Sequence, residues 1–208
     1  MKKFVIFGNP VSHSKSPQMH NAAFRFSRFD GFYDKFLLED GSKIKDVFLA
    51  NHFTGANITV PHKEIGFELA DEVRGIASQI GAINTYILED GKVVAYNTDA
   101  PGFIKAIQSF GDIKNVLILG AGGTAKAIAT ALVQNGQKVT VVNRSVQKLE
   151  YFKSLGCDTF DWCGLSKYDF DLVVNSTSAG LKDDEFPMPP KLLEGILQRS
   201  KNAFDCIY

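Results

Sequence analysis

A glycine-rich hexapeptide, Gly120–Ala125 (GAGGTA), carries the clearest chemical signal in the sequence. It lies between a predicted buried strand, Asn115–Leu119 (NVLIL), and a predicted helix that extends to about Asn135. In such a setting, backbone N–H groups at the start of a helix converge on a pyrophosphate, and glycine lets the phosphate approach closely. The alternative is a tight strand-to-helix turn that binds nothing. The pattern predicts a dinucleotide site formed by Gly120, Ala121, Gly122, Gly123 and Thr124.

The end of the next predicted strand, Lys138–Val142, indicates which dinucleotide would bind. NAD-binding folds place Asp or Glu there to hold the ribose 2′-hydroxyl. This chain has no carboxylate at that point, and two cations with two small polar side chains suit a 2′-phosphate. A basic loop that only faces solvent is the alternative. The residues predicted to hold the 2′-phosphate of NADP are Asn143, Arg144, Ser145 and Lys148.

Polar loops also follow the predicted strands of the first half, where open α/β sheets bind ligands. They are N-P-V-S-H-S-K-S-P (9–17), N-I-T-V-P-H-K (57–63), G-A-I-N-T (81–85) and N-T-D-A-P-G-F (97–103). Serine hydroxyls near a helix start can donate to a carboxylate, which the helix dipole also favours. A lysine or a carboxylate can exchange the proton that accompanies oxidation of an alcohol.

Together with GAGGTA, N-R-S (143–145) and N-S-T-S-A-G (175–180), these loops resemble the shikimate dehydrogenase family. The seven motifs occur in order and at family-like spacing over essentially the whole chain, which makes the combination far more specific than any one motif. The resemblance implies an NADP-dependent oxidoreductase that reversibly reduces 3-dehydroshikimate to shikimate in aromatic amino-acid biosynthesis. It also implies an N-terminal α/β substrate domain, residues 1–99, followed by a Rossmann-type NADP domain, residues 100–208.

The resemblance further assigns roles to single residues. Ser14 and Ser16 match serines that bind the shikimate carboxylate, and Asn84 matches a residue that binds the ring hydroxyls. Lys63 matches the catalytic lysine, and Asp99 matches its partner carboxylate. The substrate-binding residues that the resemblance implies are Ser14, Ser16, Thr59, Lys63, Asn84, Asp99 and Tyr208. It also adds two residues to those predicted to bind the cofactor: Thr177, in a loop that lines the cofactor, and Cys206, at the nicotinamide end.

Simple structural roles remain open for two of these residues. Ser16 lies directly before Pro17, and Asp99 lies two positions before Pro101. Each of these two residues could therefore be a helix N-cap. In the family, a further segment follows the D-x-x-Y motif that ends here at Tyr208. The sequence does not decide between a truncated form and a short relative, and we expect this chain to bind NADP but to turn over shikimate slowly.

The elements that must position these residues alternate between strand and helix patterns, which predicts an α/β fold with a mainly parallel sheet. A hairpin is predicted at Asp90-Gly91, where an Asp-Gly pair separates two β-rich runs. The strands predicted in the first half are Lys3–Gly8, Phe32–Leu38, Ala56–Val60, Ala82–Leu88 and Val93–Tyr96. In the second half, strands are predicted at Asn115–Leu119, Lys138–Val142 and Asp171–Asn175.

Composition limits the other classes of function. Lys and Arg together number 23, as do Asp and Glu, so a net charge of zero gives no electrostatic reason to bind nucleic acid or an acidic membrane. No apolar run has the length of a membrane span. The three cysteines, Cys157, Cys163 and Cys206, match no zinc pattern, so we expect no metal and reduced thiols in the cytoplasm. Monomer and homodimer are both compatible with the sequence.

Two other functions remain open at this point. One is a dehydrogenase that also accepts quinate, with NAD as a second cofactor; Arg144 argues against NAD, and serine at both 14 and 16 favours shikimate. The other is a non-catalytic module that only binds NADP or shikimate. The presence of both Lys63 and Asp99 argues against that module.

Overall fold

The computed structural model describes residues 1–166, 169–180 and 184–207. The chain divides into two compact units, Met1–Thr98 and Asp99–Tyr208. Each unit has a β-sheet with helices, and the predicted α/β fold is therefore confirmed. Within the described ranges, no helix has both the length and the hydropathy that crossing a membrane requires.

The first unit is built on a six-stranded sheet with the order β2-β1-β3-β5-β6-β4. Its strands are β1 (Lys2–Gly8), β2 (Gly31–Leu37), β3 (Gly55–Ile58), β4 (Glu72–Val73), β5 (Thr85–Glu89) and β6 (Lys92–Tyr96). The sheet is mixed, because β1 pairs in parallel with β2 and β3, whereas β5 runs antiparallel to both β3 and β6. The ends of β1, β3 and β6 and the start of β5 consequently lie at one edge of this sheet.

Four α-helices accompany this sheet: α1 (Ser16–Ser27), α2 (Ile44–Ala50), α3 (Lys63–Leu69) and α4 (Ala77–Ile80). The second half of β1 is buried on both faces, which is typical of a strand with parallel neighbours. Its Phe7 ring joins Phe48 of α2 and Tyr86 of β5 in one hydrophobic cluster. This cluster fixes the strands whose ends carry the polar loops.

The second unit contains, in its described part, a five-stranded sheet with the order β11-β10-β7-β8-β9 and parallel pairing throughout. The strands are β7 (Asn115–Leu119), β8 (Lys138–Val142), β9 (Asp158–Phe160), β10 (Leu172–Asn175) and β11 (Asn202–Asp205). The α-helices are α5 (Asp99–Ile107), α6 (Gly123–Gln134), α7 (Glu150–Ser154) and α8 (Pro190–Leu197).

Helix α6 lies against this sheet through a face rich in alanine. Ala125 and Ala129 are fully buried and pack with Val116 and Val141 of the central strands. Small side chains let a helix approach a sheet closely, so the start of α6 is held just beyond the end of β7. This is the strand–turn–helix arrangement that the GAGGTA motif predicts.

Sequence and structure differ at several short elements. The strand predicted from Ala82 begins only at Thr85, since the N–H of Ile83 bonds to the carbonyl of Lys63, outside the ladder. The strands β4, β9 and β11 are absent from the predicted elements, because each is too short to show a clear periodicity of its own. The helix α8 is also absent from them, although its apolar residues recur at helical spacing. The first sheet is also less parallel than predicted.

Candidate functional site

One edge of the first sheet collects most of the residues predicted to bind substrate. Ser14 and Ser16 follow β1, Thr59 and Lys63 follow β3, and Asn84 precedes β5. These positions are far apart in sequence, and the sheet topology brings their backbones to the same edge.

The two serines are arranged around the start of α1. The side chain of Ser14 is buried, and its Oγ accepts a hydrogen bond from the N–H of Ser16 at 3.3 Å. The N-cap role considered for Ser16 is wrong, because Lys15 is the N-cap residue and Ser16 is the first helical residue. Its hydroxyl is therefore not engaged in capping this helix.

A buried tyrosine supports this corner, and sequence reasoning missed it. The Tyr33 hydroxyl, in β2, donates to Asn57 Oδ1 at 2.6 Å. Burial raises the pKa of Tyr33, so the phenol stays protonated. The ring stacks on His20, with 4.4 Å between centroids. Through its stack on His20 of α1 and its bond to Asn57 of β3, Tyr33 links the helix that begins at Ser16 to the strand that leads to Thr59 and Lys63.

Asn84 lies at the centre of a second polar network. Its Oδ1 accepts from the N–H of Thr98 and from the hydroxyl of Thr85, both at 2.9 Å, and its Nδ2 donates to Thr98 Oγ1 at 2.9 Å. Its backbone also bridges two strands, since its carbonyl accepts from Ile58 and its N–H donates to Tyr96. The side chain is buried and its orientation is fixed by these bonds.

Lys63 is held by the turn between β3 and α3. It is the first residue of α3, and its carbonyl accepts from the N–H of Ile83 at 3.0 Å. Preceding it, His62 is buried, with Nε2 at 2.7 Å from the carbonyl oxygen of Leu38. Asp99 begins α5 as the first residue of the second unit, directly after Thr98 in the chain.

The second unit contains a cavity of about 420 Å³ at the carboxyl ends of its strands. It is lined by the glycine turn, by the loop after β8 and by the loop after β10. The lining contains eight residues predicted to bind the cofactor: Gly120, Ala121, Gly122, Asn143, Arg144, Ser145, Lys148 and Thr177.

The floor of this cavity requires glycine. Gly120 has φ +105°, and a Cβ added there would lie 3.0 Å from Ser176 Oγ and 3.0 Å from Thr177 Cγ2. At Gly122 and Gly123 an added Cβ would have no neighbour within 4 Å. The backbone at the start of α6 is therefore open on that side, which fits the close approach of a pyrophosphate.

The cationic wall comes from the segment after β8. Asn143 Nδ2 donates to the carbonyl of Ser145 at 2.9 Å, and the N–H of Lys148 donates to the same carbonyl at 3.2 Å. These bonds fold the segment so that Arg144, Ser145 and Lys148 all line the cavity. Arg144 and Lys148 are exposed, which leaves their charges accessible to a bound anion.

The opposite loop is organised by Asn175, another residue that sequence reasoning did not single out. Its Oδ1 accepts from the N–H and the hydroxyl of Thr177, at 3.0 and 2.7 Å. Its Nδ2 donates to the carboxylate of Asp205 at 3.2 Å, and its carbonyl accepts from the N–H of Cys206. Asn175 thereby fixes the position of Thr177 against the cavity.

Some predicted cofactor and substrate residues lie outside this lining. Gly123 and Thr124 form the first turn of α6, and Cys206 follows β11 and packs against a hydrophobic cluster. Tyr208 lies outside the described residues. The lining also includes Trp162 and Phe186, which sequence reasoning missed because neither belongs to a recognisable motif.

Comparison with protein families gives two matches that follow one another along the chain. The model of the shikimate dehydrogenase substrate binding domain matches residues 6–86. The model described as shikimate / quinate 5-dehydrogenase matches residues 105–182. Each match falls within one of the two units.

Individual relatives agree with these matches. Shikimate dehydrogenase (NADP(+)) of Helicobacter hepaticus is 44% identical over 207 residues, covering 99% of this chain and 77% of the relative. That of Helicobacter pylori strain J99 is 45% identical over 214 residues, covering 100% and 79%. The Thermus thermophilus shikimate 5-dehydrogenase structure in complex with NADP(H) and shikimate has a TM-score of 0.86 at 33% identity, covering 100% of this chain and 79% of that chain.

Proposed function

Because the chain belongs to the shikimate dehydrogenase family, we propose that it catalyses the reversible NADPH-dependent reduction of 3-dehydroshikimate to shikimate in aromatic amino-acid biosynthesis. The observation that carries this proposal is the cavity of the second unit. There a glycine turn at a helix start and the cations Arg144 and Lys148 line one space. A pyrophosphate and a 2′-phosphate on one ligand account for both features.

The edge of the first sheet would bind the substrate, which offers one carboxylate and several hydroxyls. Ser14 and Ser16, at the start of the 12-residue helix α1, would hold the carboxylate, which the helix dipole also favours. Thr59 and Asn84 would contact the rest of the ring, and the fixed amide of Asn84 would orient its hydroxyls. Tyr208 is also proposed to lie beside the substrate.

Proton exchange would fall to Lys63 and Asp99. NADP, when bound, supplies or takes up the hydride. Oxidation of the alcohol carbon releases a proton from its hydroxyl, and the reverse reaction consumes one, so a group within hydrogen-bond reach must exchange it. We propose Lys63 as this acid and base, with the carboxylate of Asp99 as its partner.

The remaining cofactor residues divide by the part of NADP that they would contact. Gly120–Thr124 would bind the pyrophosphate through backbone N–H groups, and Asn143, Arg144, Ser145 and Lys148 would bind the 2′-phosphate. Thr177 would line the path of the cofactor, and Cys206 would lie at its nicotinamide end. In this proposal residues 1–99 form the substrate domain and residues 100–208 form the NADP domain.

The setting of the enzyme is also a proposal. We infer a cytoplasmic protein that works as a monomer or homodimer on a small-molecule substrate, without nucleic acid or membrane. The three free cysteines are compatible with a reducing compartment.

To test this proposal, the protein is mixed with shikimate and NADP, and the formation of NADPH is measured by its absorbance. Parallel reactions replace NADP by NAD or shikimate by quinate. We expect the highest kcat/KM with NADP and shikimate. Equal values with quinate would favour the broader dehydrogenase, and cofactor binding without any turnover would favour a non-catalytic module.

A further inference from the structure

The residues of the cavity that would bind the phosphates offer mainly polar groups. The glycine turn offers backbone N–H groups, and the loop after β8 offers cations and small polar side chains. Neither offers a broad apolar surface for the adenine ring. A flat aromatic ring that leaves water binds best against another aromatic or apolar face.

Trp162 offers such a surface. It lies two residues after the end of β9, at the same edge of the sheet as the glycine turn and the end of β8, and it lines the cavity. A second aromatic side chain of the lining, Phe186, is 61% exposed.

The position of Trp162 is fixed from two directions. Asp161 Oδ1 accepts from the N–H of Gly164 at 2.7 Å and closes the turn that contains the tryptophan. The indole packs partly against a hydrophobic cluster that includes Leu165 and Phe170. It is half-buried, so part of the ring is held by the core and the rest is free to contact a ligand in the cavity.

We propose that Trp162 forms the wall against which the adenine ring of the cofactor packs. The inference rests on the proposed function, because it assumes a dinucleotide in this cavity. Adenine is common to NADP and NAD, whereas the 2′-phosphate is not. Trp162 therefore contributes affinity for both cofactors, and selectivity between them belongs to Arg144 and Lys148.

The experiment measures binding of four ligands by calorimetry: NADP, NAD, adenosine 2′,5′-bisphosphate and nicotinamide mononucleotide. We expect Trp162→Ala to weaken the first three by the same factor, roughly tenfold, on the scale of base–aromatic stacking. Trp162→Phe retains an aromatic face and should lose much less. Phe160→Ala is the matched control, since Phe160 lies two residues earlier and outside the lining, and it should change none of the affinities.

The unaltered protein provides an independent readout, because Trp162 is its single tryptophan. Adenosine 2′,5′-bisphosphate lacks nicotinamide, so a change that it causes in tryptophan fluorescence reports contact near the adenine half. We expect such a change with this ligand, and none with nicotinamide mononucleotide.

Several results would overturn the inference. A Trp162→Ala loss confined to NADP would place the indole at the 2′-phosphate, and unchanged affinities together with unchanged fluorescence would remove it from the site. An equal loss for nicotinamide mononucleotide would indicate general damage to the unit. If the unaltered protein binds none of the four ligands, the proposed function fails together with this inference; normal NADP binding by Trp162→Ala overturns the inference alone.

Discussion

Replacing Arg144 by alanine should lower the affinity for NADP much more than the affinity for NAD. The side chain lines the cavity and is exposed, so its contact with a 2′-phosphate would be charge-assisted but partly screened by solvent. Such a contact contributes about 1.5–3 kcal/mol, which corresponds to a loss of roughly ten- to a hundredfold in NADP affinity. Lys148 and Ser145 remain in the lining, so we expect a value near the lower limit. NAD has no 2′-phosphate, and its affinity should be nearly unchanged.

Calorimetric titration of both cofactors measures the two losses directly. Lys153→Ala is the matched control, because it removes one positive charge from the same unit at a residue that pairs with Glu150 at 3.6 Å and lies outside the lining. The loss of NADP affinity should occur with Arg144→Ala and not with Lys153→Ala. The difference in NADP affinity between these two variants should become smaller at high salt. Equal losses for NAD and NADP with Arg144→Ala would refute the assignment of this loop to the 2′-phosphate.

Three further substitutions, one of them with a matched control, test other parts of the site and fold. Lys63→Ala should lower kcat by about a hundredfold or more and leave NADP affinity intact, as measured by steady-state kinetics and titration; a near-normal kcat would exclude Lys63 as the acid and base. Gly120→Ala should cost about 1–3 kcal/mol in unfolding free energy and weaken NADP, because the residue has φ +105° and its Cβ would meet the loop after β10. Gly136→Ala is the control, because Gly136 has a similar φ of +85° but open space around an added Cβ. This variant should lose stability without a change in NADP affinity. Asp171→Asn should lower the melting temperature at neutral pH, because Lys201 and two backbone N–H groups hold the pKa of Asp171 well below its usual range. The stabilisation by the Asp171 carboxylate is complete above its pKa in the unfolded chain, about 4. It is lost as the pH falls from there through the lower pKa of the folded state, so the melting temperatures of the unaltered protein and of Asp171→Asn should converge in acid.

Motif spacing and strand patterns predicted much of the architecture. The run NVLIL followed by GAGGTA predicted a strand, a turn and a helix, and β7 and α6 occupy those positions. The same reasoning predicted that Arg144 and Lys148 would lie together after β8, and both line one cavity with the glycine turn. These predictions succeeded because each depends on a few adjacent residues with strong local preferences.

The supporting residues could not be predicted in the same way. Tyr33 lies on a strand of mixed pattern, and its bond to Asn57 joins residues 24 positions apart. Trp162 reaches the cavity only because the three-residue strand β9 adds to the sheet beside β8. Such roles depend on strand order and side-chain packing, which local sequence patterns do not determine.

The central claim is that this protein moves hydride between NADP and the alcohol carbon of shikimate. Its most direct test uses shikimate deuterated at the carbon that becomes the ketone, mixed with NADP and an excess of the protein, with mass spectrometry of the nicotinamide product. An excess of protein makes the result independent of slow turnover. We predict one deuterium in each NADPH formed and one ketone for each NADPH. Reduced cofactor without deuterium, or no reduced cofactor from a protein that binds both ligands, would contradict the claim.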